Sequence, residues 1–132
     1  MIRIARDVHE AMIAHALEER PFECCGLLAG SGGTITSSHR ATNVAELCGI
    51  RYQIDPGEIY RINRAVDDAD LDLLGGYHSH PFTRAYPSPT DVAAAASEFV
   101  YVIVSLTDFL APVVKAFTIA NGQVAEQPVE IV

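Results

Sequence analysis

Apolar residues along this chain switch between a helical period and a strand period, and the switches outline its elements. Val8, Ala11, Met12, His15 and Ala16 fall on one stripe at helical spacing. Asp7 reads as the N-cap of that helix, Glu10 completes a capping pattern, and Pro21 ends it. Cys24 to Ala29 reads as a short buried strand, closed by the turn Gly30-Ser31-Gly32-Gly33, with Thr34 to His39 as its hairpin partner. Arg40 to Cys48 has no clear period and reads as loop, and Arg51 to Ile54 as a strand. Asp55-Pro56-Gly57 is a helix entry, and Ile59, Ile62, Val66 and Ala69 give that helix an apolar face. Leu71 to Ser79 reads as a strand that stops at Pro81, and Ser88-Pro89-Thr90-Asp91 opens an alanine-rich helix. Phe99 to Ser105 is a continuous apolar run suited to a sheet centre. Val113 to Ala120 and Gln123 to Val132 flank Asn121-Gly122, a strong hairpin signal. Helices and strands mix along one chain, which predicts an α/β (α+β mixed) single domain over 1–132, with helices packed on a mixed sheet.

The bulk numbers narrow the function. With 49% hydrophobic and 20% charged residues, the composition is that of an ordinary globular chain. A net charge of -8 repels polyphosphate, so no nucleic-acid partner is expected. The start, Met1 to Asp7, lacks the apolar core of a signal peptide, and no apolar stretch has the length of a membrane span. Three cysteines, two of them adjacent, do not make a disulfide framework. A cytoplasmic location without a membrane partner is the expectation. The oligomeric state stays open, a homodimer included.

The segment that carries chemistry is His78-Ser79-His80-Pro81, followed by Ser88-Pro89-Thr90-Asp91. Residues two apart on a strand face the same side, so His78 and His80 present two imidazoles together where the strand ends. Asp91 lies one turn into the next helix, within reach of that strand end. Two imidazoles and one carboxylate form a common zinc ligand set with a position left open for water. The helical His-Glu-x-x-His arrangement is absent, so any general base must come from elsewhere.

Here the residues resemble a family. Pro21-Phe22-Glu23-Cys24-Cys25-Gly26-Leu27-Leu28-Ala29-Gly30, together with His-Ser-His-Pro, six residues, then Ser88-x-x-Asp91, is similar to the JAMM (MPN-plus, JAB-domain) metallopeptidases. The resemblance implies a mixed, curved sheet packed with helices, a JAMM/cytidine-deaminase-like fold. It implies one zinc ion per chain on His78, His80 and Asp91. It also implies Glu23 as general acid/base and Ser88 as an oxyanion-stabilising hydroxyl. Thr42-Asn43-Val44, Arg51-Tyr52-Gln53-Ile54-Asp55 and Ala85-Tyr86-Pro87-Ser88 resemble the short bacterial members. Some of those act beside the C-terminal Gly-Gly of ubiquitin-like β-grasp sulfur-carrier proteins, and one type releases cysteine from a carrier-cysteine adduct. Arg84 and Tyr86 are candidates for substrate contact. The chain departs from the family at Cys24-Cys25, where one cysteine before glycine is usual, and in the loop Phe82-Thr83-Arg84.

Each of these readings has a plainer rival. Two histidines, a serine and an aspartate at this fixed spacing arise by chance in roughly one chain per few thousand. Ser-Pro-Thr-Asp is also an ordinary helix start, and a capped helix can serve both purposes. Cys24 reads as a small core residue in preference to a redox-responsive thiol. His9, His15 and His39 read as surface or boundary residues, and Asp67, Asp68, Asp70 and Asp72 as a solvated acidic face. A non-catalytic MPN-type scaffold or binding module is the main alternative function. Such family members typically lack one of the ligands or the glutamate, and this chain keeps them all. Nucleobase deamination on a related fold would need a Cys-x-x-Cys pair, and there is none.

Overall fold

Eight strands form one mixed sheet in a computed structural model that describes residues 1–132. In chain order the elements are β1 (Ile2–Ile4), α1 (Arg6–Glu19), β2 (Cys25–Ser31), β3 (Thr34–Ala41), α2 (Pro56–Asp68), β4 (Asp72–His80), α3 (Pro89–Ala94), β5 (Val100–Ser105), β6 (Val113–Ala120), β7 (Gln123–Gln127) and β8 (Val129–Ile131). The sheet order is β7-β6-β5-β4-β2-β3-β1-β8. β7 and β8 are separated in sequence by Pro128 alone, yet they stand at opposite ends of that order. The sheet must therefore curl until its two ends meet. No helix is long and apolar enough to cross a membrane.

Local chemistry explains most boundaries. The β2–β3 turn puts Gly32 and Gly33 at φ 60° and 80°, and the β6–β7 turn puts Asn121 and Gly122 at 52° and 74°. Two successive positive φ values are what a two-residue hairpin needs to match strand twist. α2 starts on Asp55, whose carboxylate accepts from the backbone N–H of Gly57 and Glu58, with Pro56 leading the helix.

Several expectations need correction. Asp7 does not cap α1: the helix starts at Arg6 on Ala5, and Asp7 Oδ1 accepts from the neighbouring Val8 N–H. The chain enters α1 directly from β1, anchored by Ala5 N–H donating to the Ile35 carbonyl at 2.9 Å. Arg51 to Ile54 is not a strand beyond a single bridge between Asn43 and Ile54: the Gln53 carbonyl accepts from Val44 N–H, but the Arg51 carbonyl and Gln53 N–H bond to the Asn43 side chain, so no ladder forms. The last strand breaks at Pro128, which has no N–H to continue β7, and β8 runs parallel to β1 at the other end of the sheet.

Helix α1 covers one sheet face. Val8, Met12 and Ala16 pack there with Leu28, Tyr77, Val102 and Val104. His15 belongs to this face too: it is buried, with Nδ1 2.7 Å from the Tyr77 hydroxyl, and is not the surface residue its isolation in sequence suggests. On the other face α2 sets Ile62 and Val66 against Ala29. Alternation along β4 turns Tyr77 toward α1 and leaves His78 and His80 on the α2 side.

Candidate metal centre

His78 and His80 are the last inward positions of β4, both buried, and Pro81 stops the strand immediately after them. α3 follows on a reciprocal capping box. Ser88 Oγ accepts from Asp91 N–H at 3.1 Å, and Asp91 Oδ2 accepts from Ser88 N–H at 2.9 Å. That box aims Asp91 at the strand end. Asp91 Oδ2 lies 3.1 Å from His78 Nε2 and 3.2 Å from His80 Nε2, and the two ring nitrogens are 3.1 Å apart.

Three lone-pair atoms at the corners of a near-equilateral triangle are the face of a tetrahedron. Ligands about 2.0–2.1 Å from a zinc ion stand about 3.4 Å apart, close to the spacing found. His80 Nδ1 lies 2.9 Å from the Arg84 carbonyl, which only accepts. Nδ1 thus carries a proton in either charge state, and in the neutral ring Nε2 offers its lone pair to the centre of the triangle. Tyr52 lies flat on the His78 ring, with centroids 4.4 Å apart and planes at 23°. The donor set fits a metal ion.

Glu23 stands just before β2, buried, with Oε1 free of any hydrogen-bond partner. Its carboxylate and the two histidine ring nitrogens lie within 4.8 Å of one another. Both Glu23 and Asp91 therefore present a carboxylate to the two imidazoles, with Asp91 in direct contact with both rings. Burial pushes the Glu23 carboxyl up to about 7, against the pull of His80, with the Asp91 charge adding to the rise. Asp91 is the opposite case. Burial opposes its charge, but hydrogen bonds from His78 and His80 prevail and hold it well below the usual carboxylate range. Burial lowers His78. It also opposes the charged form of His80, yet hydrogen bonds to Asp91 and the Arg84 carbonyl keep His80 above its ordinary value.

Glu23, His80 and Ser88 line one recess of about 150 Å³, rimmed by Ile50 and Phe82. The structure thus brings Glu23, His78, His80, Ser88 and Asp91 together. It does not bring Arg84 and Tyr86 into that recess. The Arg84 guanidinium stacks 4.5 Å above the Tyr86 ring, and both line a separate hollow with Ser105 and Lys115. Cys24 is packed in the α1-side core, its thiol pushed up by burial to about 11, as a small apolar residue would be.

Two contributors escaped the sequence reading. Ser79, between the histidines, accepts from Cys24 N–H at 2.8 Å and donates its own N–H to the Cys24 carbonyl, fixing the start of β2 against the ligand strand. Tyr52 is the other, and its only sequence signal was its place in a family-like phrase.

Comparison with known proteins places the chain in a family. Residues 5–120 match the family described as prokaryotic homologs of the JAB domain. The chain is 40% identical over 131 residues to the CysO-cysteine peptidase of Mycobacterium tuberculosis, covering 98% of this chain and 90% of the relative. It is 37% identical over 111 residues to the desampylase of Haloferax volcanii, covering 79% and 80%. The solution structure of protein DSY2949 from Desulfitobacterium hafniense superposes with a TM-score of 0.90 at 31% identity, covering 100% of this chain and 93% of that one. Fold and site together define a metallopeptidase of the JAMM type. The chain belongs to the prokaryotic JAB-domain family.

Proposed function

We propose that this protein is a zinc peptidase that cuts the amide bond after the C-terminal Gly-Gly of a ubiquitin-like sulfur-carrier protein, releasing cysteine from a carrier-cysteine adduct. The observation that carries the proposal is the triangle of His78 Nε2, His80 Nε2 and Asp91 Oδ2 with the buried Glu23 carboxylate beside it. In this reading His78, His80 and Asp91 hold one zinc ion per chain. When bound, zinc supplies Lewis acidity, polarising the scissile carbonyl and bringing the pKa of its water toward neutrality.

The chain supplies the rest. The Glu23 carboxylate, buried beside the triangle with Oε1 free of any hydrogen-bond partner, takes the proton of the attacking water. The acid so formed returns it to the departing amine nitrogen. Ser88 Oγ already accepts from Asp91 N–H, which leaves its own hydroxyl proton free to donate to the carbonyl oxygen as that atom gains charge. Tyr52 covers one face of His78 and keeps water from it. Arg84 and Tyr86, outside the Glu23 recess, are assigned to the surface of the carrier and not to its tail.

The mycobacterial CysO-cysteine peptidase supports the carrier-cysteine adduct as substrate, and the archaeal desampylase supports the wider class of carrier conjugates. A panel of purified adducts separates them. One carrier would end in Gly-Gly-Cys, a second would carry a longer C-terminal extension, and a third would be joined to a lysine side chain. Preferential release of cysteine from the first supports the reading. Preference for the lysine conjugate would move the protein to the isopeptidases and contradict cysteine release as its task.

A further inference from the structure

Glu23 precedes the β2 ladder, so no strand partner holds its backbone, and the loop from residue 43 to 54 does so instead. Glu23 N–H donates to the Cys48 carbonyl at 2.7 Å, and the Glu23 carbonyl accepts from Asn43 Nδ2 at 3.0 Å. The same Asn43 amide reaches the other end of the loop. Nδ2 donates to the Arg51 carbonyl at 2.8 Å, and Oδ1 accepts from Gln53 N–H at 3.1 Å. Those two bonds bracket Tyr52, the residue stacked on His78. Oδ1 also accepts from Ala45 N–H at 3.0 Å, and Nδ2 makes a longer contact of 3.4 Å to the Cys48 carbonyl. Every donor contact meets a carbonyl and every acceptor contact meets an N–H, so the amide has one orientation and its capacity is fully used.

We infer that Asn43 is a positioning residue, which holds Glu23 on one side and Tyr52 on the other in fixed relation to the histidine strand. It touches neither substrate nor metal ligand and acts through Glu23. An ordinary loop asparagine would bond within its own loop. Asn43 also bonds outward to Glu23, twenty residues back. The catalytic consequence rests on the peptidase reading, but the structural tie does not.

Asn43→Asp is the variant of choice. It keeps the shape and the acceptors for Ala45 and Gln53, but turns an oxygen toward the carbonyls of Glu23 and Arg51. Amide hydrogen exchange on metal-free protein gives the first readout. The amides of Glu23 and Gln53 should lose protection in Asn43→Asp and in Asn43→Ala, while Leu28 in β2 keeps its own. Cleavage of the carrier-cysteine adduct gives the second: kcat should fall about tenfold to a hundredfold, with KM within about threefold. Leu47→Ala, on the exposed part of the same loop, should leave both readouts near wild type. Unchanged Glu23 protection would overturn the inference, since Asn43 would then organise only its own loop. So would lost protection with an unchanged kcat. A wild-type protein inert on every adduct would sink the peptidase reading alone, and the exchange experiment would still decide whether Asn43 holds Glu23.

Discussion

The Nδ1 of His15 lies 2.7 Å from the hydroxyl of Tyr77, and both side chains are buried between α1 and β4. The pair ties the helix to the strand that bears His78 and His80, from the face opposite the metal centre. Burial lowers the His15 pKa, with the Arg40 charge adding to it. The folded protein therefore binds fewer protons here than the unfolded chain. Stability from this site is fully present above the unfolded value of 6.5 and is lost as pH falls through the lower folded value. Denaturant unfolding of metal-free protein at pH 8 and pH 5 checks this against His15→Gln, which should lose less stability on acidification than wild type. Tyr77→Phe strips His15 of its partner and should cost about 1–3 kcal/mol. An unchanged unfolding midpoint would contradict the pairing.

Ser88 is assigned two tasks, capping α3 and donating to the carbonyl oxygen, and two substitutions separate them. Ser88→Ala should cost about 1 kcal/mol of stability, whereas Ser88→Gly should cost only a few tenths. Both remove the hydroxyl donor and should lower kcat by about a hundredfold or more. Activity that follows stability across the pair would assign Ser88 to the cap alone.

Gly26 lies opposite Tyr77 and against its ring. A Cβ there would clash with the Tyr77 ring and meet the His39 carbonyl oxygen at 2.6 Å. Gly26→Ala should destabilise the protein by about 1–3 kcal/mol as β2 and β4 are forced apart. Thermal unfolding measures it. Wild-type stability would mean that Tyr77 can move aside without cost.

The candidate site was legible in the sequence where chemistry follows local spacing. His78 and His80 share a face because strand side chains alternate, and Asp91 is aimed by the capping box that Ser88-Pro89-Thr90-Asp91 announces. Glu23 came from resemblance alone, since nothing in its own segment shows that the chain folds it back beside β4. What stayed hidden depends on contacts between distant segments. His15 looked like a lone polar residue because its partner is 62 positions away. β1 and β8 are three residues each and become strands only by pairing with one another and with β3. The loop that holds Glu23 folds through side-chain-to-backbone bonds from Asn43, which leave no periodic trace. Arg51 to Ile54 looked like a strand for the same reason: its pattern is extended, and beyond one backbone bridge its partner is the Asn43 side chain.

The most direct test of the account is intact-mass analysis of a sulfur-carrier protein ending in Gly-Gly-Cys, incubated with this protein after loading with zinc. Loss of one cysteine residue's mass is expected, abolished by a chelator, by Glu23→Gln and by Asp91→Asn. Cleavage that survives the chelator or Glu23→Gln would contradict it, because the triangle and the glutamate would then not be the centre of the reaction.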